Sequence, residues 1–266
     1  MALAVCATPI GNLDDVTLRV LEELRSADVI LCEDTRHTRV LLDRHGISSN
    51  LVSYHEHNEA KRAAEVLPRM EAGERFALVS DAGMPAISDP GARLVAAALE
   101  RGVAVTVLPG PTAVDTALVA SGFPAERYQF VGFLPRGAHA LASLWEKLAS
   151  WPYPVVAFES ARRLPATLRS LADAQPAREV AVCRELTKKF EEVVRGTAAE
   201  LAPRFGVAPK GEITLVLGPG SQGADVAAAI EAVGELVSAG LPRRQAADVV
   251  SRLTGASRNE LYRRTL

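Results

Sequence analysis

The sequence predicts an α/β protein with two α/β domains followed by a small C-terminal helical module. Short apolar runs alternate with amphipathic stretches over most of the chain, the pattern of βα units in a mostly parallel sheet. The chain has 266 residues, more than the ~100 to 200 of a typical domain. From Ala224 onward only helical periodicity remains. We predict α/β domains over 1–120 and 121–220, and an arginine-rich helical tail over 221–266.

Apolar runs followed by periodic stretches define the elements of the first domain. Asp14 and Asp15 offer N-caps for a first helix that carries Leu18, Leu21 and Leu24 at intervals of three. Five strands are expected, at 3–7, 29–32, 51–53, 75–80 and 103–108. Further helices are expected near 36–44, 57–72, 91–101 and 112–121.

The segment 121–127 contains Gly122 and Pro124 and predicts a linker to the second domain. Four strands are expected there, at 128–133, 154–159, 179–184 and 212–217, and a fifth strand or a hairpin within 186–195. Helices are expected near 138–149, 162–173 and 197–205. The tail periodicity is interrupted at 240–242 and 254–255, which predicts several short helices.

Composition narrows the possible classes of protein. Hydrophobic residues make up 48% of the chain and charged residues 23%, values that allow a sizeable core and argue against disorder. The three cysteines, Cys6, Cys32 and Cys183, lack a CxxC spacing, so neither a disulfide framework nor a zinc cluster is expected. No apolar run reaches the ~18 to 20 residues of a membrane span. We therefore expect a cytoplasmic protein that does not enter a membrane.

Charge is distributed unevenly along the chain. The whole chain carries −2, but residues 241–266 contain six arginines against Asp248 and Glu260, a net charge of +4. The remaining residues therefore carry −6. Short arginine-rich helices around a glycine turn fit either a nucleic-acid reader or a packed helix pair.

Three loops directly follow predicted strands, at the sheet edge where α/β proteins usually bind ligands. They are Thr8–Asn12, Ser80–Gly91 and Pro109–Thr112. Each alone could be a plain turn, but the second is long and carries two acidic residues, as binding loops often do. Together they predict a small-molecule pocket whose acidic groups suit an amino group or ribose hydroxyls. A nucleoside that carries an amino acid would match.

The polar segment Glu33–Arg39 follows the second strand, at the same predicted edge. It could hold an acid/base pair and phosphate-binding arginines, or it could be only a capped helix start. Gly218–Gly223 matches GxGxxG, but no strand ending in an acidic residue follows, so a linker is favoured over a dinucleotide site. His55-Glu56-His57 lacks the HExxH spacing, and no metal site is expected. No P-loop and no GxSxG motif occurs.

Several long motifs, in order, resemble the ribosomal RNA small subunit methyltransferase I family of the tetrapyrrole-methylase fold group. They include TPIGNLDD (8–15), SDAGMPAISDPG (80–91), LPGPTA (108–113), FVGFLPR (130–136), RELTKKFEE (184–192) and KGEITLVLGP (210–219). Met84 departs from the family, in which threonine is common, so a hydroxyl contact there is in doubt.

The resemblance implies two α/β domains with the cofactor in the cleft between them, a small C-terminal helical domain and a homodimer. It also implies methyl transfer from S-adenosylmethionine to the ribose 2′-hydroxyl of a decoding-centre cytidine in bacterial 16S rRNA. The cofactor residues carried over by motif are Pro9, Gly11, Asp81, Ala82, Gly83, Ile87, Ser88, Pro109, Gly110, Ala113, Phe133, Leu134 and Thr214.

The remaining site residues are hypotheses from residue type and position. A ribose hydroxyl is a weak acid that a general base would help to deprotonate, and Asp34 or His37 could serve. Arg36, Lys188 and Lys189 are candidates for rRNA phosphate contacts, as are Arg243, Arg244 and Arg258 in the tail.

Two other functions stay open at this point. A tetrapyrrole C-methyltransferase of the same fold would bind a polycarboxylate with the same arginines, although a macrocycle gives no reason for a basic tail. A DNA-binding regulator could instead use the two α/β domains only to sense a ligand.

Overall fold

A computed structural model describes residues 2–220, 226–254, 256 and 258–265. The chain forms two compact units. The first unit consists of residues 1–120, 183–193 and 211–214, and the second of 121–182, 194–210 and 215–266. Two late segments thus belong to the first unit, whereas the domains predicted from the sequence were consecutive. The tail clusters with the second unit.

The first sheet is built from parallel strands in the order β3-β2-β4-β1-β5. Its strands are β1 (Leu3–Cys6), β2 (Val29–Cys32), β3 (Leu51–Ser53), β4 (Phe76–Leu78) and β5 (Val105–Leu108). β1, β2 and β4 are buried along their whole length, as expected for continuous apolar runs in a parallel sheet. All five lie within the predicted segments.

Helices cover both faces of the first sheet. They are α1 (Leu18–Ser26), α2 (Thr35–Arg44), α3 (Glu59–Glu71), α4 (Ala92–Glu100) and α5 (Ala113–Ser121). Because side chains alternate along a strand, Ala4 and Cys6 of β1 join a core cluster with α1 and α2. Leu3 and Val5 join a second cluster with α3 and α4.

Two helices begin at threonine caps, and the first of them differs from the sequence prediction. Asp14 and Asp15 lie in a 3-10 turn, and α1 is capped by Thr17, whose side chain accepts from the Val20 amide. Two residues, Val16 and Thr17, therefore separate the acidic pair from the helix. At α5, the Thr112 hydroxyl accepts from the amides of Val114 and Asp115, so Thr112 is the cap and Pro111 precedes the helix.

The second sheet has the strand order β6-β7-β10-β8-β9. Its strands are β6 (Gln129–Phe133), β7 (Val155–Ser160), β8 (Glu179–Arg184), β9 (Glu192–Thr197) and β10 (Glu212–Leu217). β6 pairs with β7 in parallel, with a register shift between Phe130 and Phe133. Within 186–195, where the sequence predicted either a fifth strand or a hairpin, the structure has a loop followed by β9. The helices are α6 (Ala138–Leu148), α7 (Leu164–Ala174) and α8 (Ala198–Arg204).

The tail forms a small helical cluster, as predicted. Its helices are α9 (Val226–Ser238), α10 (Arg243–Thr254) and α11 (Arg258–Arg264), and they share an apolar core that includes Val233, Val250 and Leu261. The motif 218–223 falls partly outside the described residues. Among those residues, no helix is both long and apolar enough to span a membrane.

Candidate functional site

Two of the predicted ligand loops are joined directly at the carboxyl end of the first sheet. The Thr8 amide donates to the Gly83 carbonyl at 2.8 Å, and the Gly83 amide donates back to the Thr8 carbonyl at 3.0 Å. The Thr8 hydroxyl also donates to the Ser80 carbonyl at 3.0 Å. The turns after β1 and β4 are therefore one connected structure, as the strand order predicts.

The third loop reaches the same place. The Ala7 amide donates to the Leu108 carbonyl at 3.2 Å, which brings the end of β5 beside the first turn. A Cβ atom on Gly110 would lie 2.9 Å from the Ala7 Cβ, so only glycine allows this approach. The predicted convergence of the three turns is thereby confirmed.

A cavity of about 110 Å³ opens where the first and second turns meet. Its walls include Pro9 and Gly11 from the first turn and Asp81 and Ala82 from the second, together with His37 from α2. Two more lining residues, Lys188 and Glu212, come from the segments 183–193 and 211–214, which belong to the first unit. The whole cavity thus lies within one compact unit and combines backbone groups with acidic and basic side chains.

The loop 185–191 closes the cavity on the side of Gly11. The Asn12 amide donates to the Thr187 hydroxyl at 3.0 Å. Lys188 Nζ lies 3.0 Å from Glu185 Oε1 and 2.9 Å from Glu212 Oε2. Burial lowers the pKa of Lys188, but its hydrogen bonds to Glu212 and Glu185 outweigh this effect and hold the pKa above its ordinary value. Lys188 is a charged part of the wall, held by two carboxylates.

The two base candidates occupy different environments. Asp34 caps α2, and both of its carboxylate oxygens accept from the Arg36 guanidinium, at 3.1 and 2.7 Å. These hydrogen bonds hold the pKa of Asp34 well below its ordinary value. His37 lines the cavity, with Nδ1 3.5 Å from Asp81 Oδ2. His37 is therefore beside the cavity and next to a carboxylate, whereas Asp34 is engaged by Arg36.

Further carboxyl groups lie behind the cavity wall. Burial raises the pKa of Asp89 to about 6, and the charge on Glu33 acts in the same direction. Burial also raises the pKa of Glu33, with a contribution from Asp81. Like charges that share a partly buried site disfavour one another's ionised forms. Neither Glu33 nor Asp89 was among the site residues proposed from the sequence.

The other predicted cofactor residues lie outside the cavity wall. Ile87, Ser88 and Pro109 are exposed, and Gly110 and Ala113 are half-buried in or just after the third turn. In the second unit, Phe133 is exposed and Leu134 is buried. Thr214 is buried within β10. Gly83 joins the turns but does not line the cavity.

The predicted RNA contacts also differ in their surroundings. Arg36 forms an ion pair with Asp34. Lys188, which lines the cavity, lies beside the carboxylates of Glu185 and Glu212. Lys189 is exposed. In the tail, Arg258 Nε lies 3.6 Å from Asp248, while Arg243 and Arg244 form no ion pair among the described residues.

Sequence reasoning missed Glu212 and Ser80. Glu212 is far from the three turns in sequence, and only its place in the motif 210–219 pointed to it. Ser80 ends the run that predicted β4, and its hydroxyl lies 3.3 Å from the carbonyl oxygens of Ala82 and Gly83. Both reach the cavity wall through the fold rather than through a local pattern.

Known families match almost the entire chain. Residues 2–202 match the family described as Tetrapyrrole (Corrin/Porphyrin) Methylases. Residues 224–266 match the family described as RsmI C-terminal HTH domain. The two α/β sheets and the helical tail thus each correspond to a recognised family.

Among similar proteins is a Ribosomal RNA small subunit methyltransferase I from Mesorhizobium japonicum, 44% identical over 100% of this chain and 91% of the relative. A protein of the same name from Thermotoga maritima is 45% identical over 81% of this chain and 97% of the relative.

The fold also resembles the crystal structure of uroporphyrin-III C-methyltransferase from Thermus thermophilus complexed with S-adenyl homocysteine. The TM-score is 0.58 at 21% identity, over 81% of this chain and 96% of that chain. With its tetrapyrrole-methylase fold and close relatives along its length, the chain belongs to the ribosomal RNA small subunit methyltransferase I family.

Proposed function

We propose that this protein transfers the methyl group of S-adenosylmethionine to the ribose 2′-hydroxyl of a decoding-centre cytidine in 16S rRNA. As a family member it is an S-adenosylmethionine-dependent rRNA methyltransferase; the atom and the nucleotide are the proposal. The observation that carries it is a cavity between the first two turns, beside which the third turn lies, whose wall also contains a histidine next to a carboxylate.

The residues of the cavity suit S-adenosylmethionine. Asp81 and Glu212 offer carboxylates to its ammonium group and ribose hydroxyls, and Pro9, Gly11 and Ala82 let it approach the backbone. A cavity of about 110 Å³ is smaller than the ~300–1,000 Å³ pockets that enclose a drug-sized ligand. It therefore suits one portion of the donor. Gly83, Ile87, Ser88, Pro109, Gly110, Ala113, Phe133, Leu134 and Thr214 remain proposed contacts for the rest.

The donor, when bound, supplies an electrophilic methyl group on a sulfonium leaving group, so positioning accounts for much of the rate. His37 is proposed as the base that accepts the proton of the 2′-hydroxyl. Its Nδ1 faces Asp81, which leaves Nε2 for that proton and stabilises the imidazolium that forms. Asp34 is a weaker candidate because Arg36 already occupies its carboxylate.

The rRNA substrate is proposed to bind through basic residues. Lys189, Arg243, Arg244 and Arg258 are the candidates with exposed or partly exposed side chains. Phosphate contacts of this kind orient an RNA without selecting its sequence. Arg36 and Lys188 already have carboxylate partners, so we propose that they stabilise the site and do not contact the RNA. Action on the small ribosomal subunit would take place in the cytoplasm.

We also propose a homodimer. β5 is an edge strand of the first sheet, and its Val107 is 55% exposed. Val119 of α5 is 76% exposed. A contiguous exposed apolar patch is typical of a surface that another chain covers, and we propose these two side chains as parts of such a patch. Light scattering should show that Val119→Lys lowers the mass from dimer to monomer, and an unchanged mass would argue against this surface.

The function is tested with labelled S-adenosylmethionine and 30S subunits from a strain that lacks this protein. We expect label on one cytidine of 16S rRNA, at a nucleotide resistant to alkaline hydrolysis because its 2′-oxygen is methylated. Label on a base carbon would contradict the proposed atom. Methyl transfer to uroporphyrinogen but not to 30S subunits would indicate a tetrapyrrole methyltransferase. Binding to duplex DNA without methyl transfer would indicate a DNA-binding regulator.

The base is tested in the same assay. His37→Ala should lower kcat by about 10²- to 10⁴-fold, the range of general base catalysis, with unchanged affinity for S-adenosylhomocysteine. Asp34→Asn is the matched comparison and should lower kcat much less. Wild-type kcat in His37→Ala would remove His37 from this role.

A further inference from the structure

The loop 185–191 presents a basic and an aromatic side chain together on the surface of the first unit. Phe190 is 64% exposed, and Lys189 Nζ lies 5.7 Å from the centroid of its ring. Within the part of the chain that the structure describes, Phe190 stacks on no other ring and Lys189 forms no ion pair. The ring and the ammonium group are therefore both accessible to an external ligand.

The backbone that carries Phe190 is held in one conformation. The Lys188 amide donates to the Glu185 carbonyl and the Glu191 amide to the Lys188 carbonyl, each at 3.0 Å. Glu185 and Thr187 have φ values of +52° and +64°, which non-glycine residues adopt at a cost. Strain that the surroundings maintain is typical of functional loops. The ring is therefore presented on a preorganised support rather than on a mobile tip.

The acidic residues of the loop are all engaged. Glu185 binds Lys188 and the Glu212 amide, the Glu191 carboxylate accepts from the Thr187 amide, and Glu192 binds Arg184 at 3.1 Å. Of the two lysines of the loop, Lys188 is thus paired with carboxylates, whereas Lys189 has no carboxylate partner among the described residues. A cation beside an exposed ring is the combination that proteins use to bind a nucleobase and its phosphate.

The position of the pair relates it to the proposed reaction. Lys188 lines the cavity, and Phe190 lies two residues along the same fixed loop. A ribose presented to the cavity would thus carry its own base, or that of a neighbouring nucleotide, close to this loop.

We propose that Phe190 is the platform on which a nucleobase at or next to the methylated nucleotide stacks, while Lys189 contacts an adjacent phosphate. This inference rests on the proposed rRNA substrate and adds a residue that selects for an unstacked, single-stranded nucleotide. Stacking tolerates any base, because every base has a π-face, so the contact recognises RNA structure rather than sequence.

The test compares four variants at position 190 by their KM for 30S subunits. Removal of a stacking side chain costs about 1–3 kcal/mol per base, which corresponds to about 5- to 150-fold in affinity. Phe190→Ala should raise KM within this range, and Phe190→Leu should do nearly the same despite its apolar side chain. Phe190→Tyr and Phe190→Trp should stay close to wild type. Val207→Ala, which shortens another exposed apolar side chain (85% exposed), is the control.

Two further measurements separate stacking from other roles. Affinity for S-adenosylhomocysteine should be the same in all variants, because the loop fold does not depend on the exposed ring. The mass in light scattering should also be unchanged. Wild-type KM in Phe190→Leu would overturn the inference, and so would a lost donor affinity in all variants or a halved mass in Phe190→Ala. Absence of transfer by the wild type would instead contradict the proposed function.

Discussion

At the scale of single residues, the site depends on close approaches that leave no room for extra atoms. A Cβ atom on Gly11 would lie 2.5 Å from Lys188 Cγ, 2.7 Å from Thr187 Oγ1 and 2.8 Å from the Leu186 carbonyl oxygen. The last of these is a backbone atom, which cannot move without the loop. Gly11 is therefore the point at which the first turn fixes the position of the loop 185–191.

Gly11→Ala should displace that loop and weaken donor binding. Overpacking of this kind typically costs about 1–3 kcal/mol. If the donor-bound protein alone is destabilised by this amount, the affinity for the donor falls about 5- to 150-fold. Calorimetry with S-adenosylhomocysteine measures the effect. Gly137→Ala is the control, because that position has open space for a Cβ and an ordinary φ of −82°. Equal affinity in Gly11→Ala and wild type would show that the loop adapts.

Asp89 makes the stability of the protein depend on pH. Its folded-state pKa of about 6 lies above the ordinary aspartate pKa of 3.8, so between these values the folded state binds more protons than the unfolded state. Stability from this group therefore falls as pH rises from about 4 to 6. Asp89→Asn avoids the buried charge and should raise the thermal midpoint at pH 7 but hardly at pH 4. A constant difference between the two proteins would contradict the raised pKa.

At the scale of elements, most strands could be predicted because they are apolar runs bounded by turn residues, whereas β9, with charged residues in its sequence, was left open. Thr17 was harder to identify as a cap, because Asp14 is an equally plausible start signal three residues earlier. The loop 185–191 could not be predicted. Its shape depends on left-handed φ values at non-glycine residues and on the contact of Lys188 with Glu212, neither of which leaves a local pattern.

A buried ion pair supports the end of β7. The Glu159 side chain has no exposed surface, and it binds Arg163, the Thr167 hydroxyl at 2.5 Å and the Ser160 amide at 2.6 Å. Arg163 also donates to the Leu134 carbonyl at 2.9 Å. The pair thus connects β7 and α7 to the loop that follows β6.

Arg163→Ala should lower the free energy of unfolding by about 3–5 kcal/mol, because it leaves a buried carboxylate uncompensated. The double variant Glu159→Gln, Arg163→Met should lose clearly less, since it removes both charges and keeps the volume. Urea unfolding of the three proteins gives the comparison. If the double variant is as unstable as the single one, the hydrogen bonds rather than the charge carry the stability.

At the scale of the whole molecule, the uneven charge separates a basic tail from an acidic remainder, +4 against −6. Two tail arginines, Arg252 and Arg258, lie near Asp248 at 3.5 and 3.6 Å. Arg243 and Arg244, at the start of α10, have no such partner among the described residues. Their charges are therefore available to an external polyanion.

Replacement of both Arg243 and Arg244 by glutamine should weaken rRNA binding and also flatten its dependence on salt. Each phosphate contact contributes about 0.7 to 0.9 to the slope of log affinity against log salt, so the double variant should lower the slope by about 1.5. Filter binding over a series of potassium chloride concentrations measures it. The control is Lys61→Gln with Arg101→Gln, which removes the same charge from α3 and from the residue that follows α4. Equal slopes in the two double variants would mean that net charge, not the tail, governs binding.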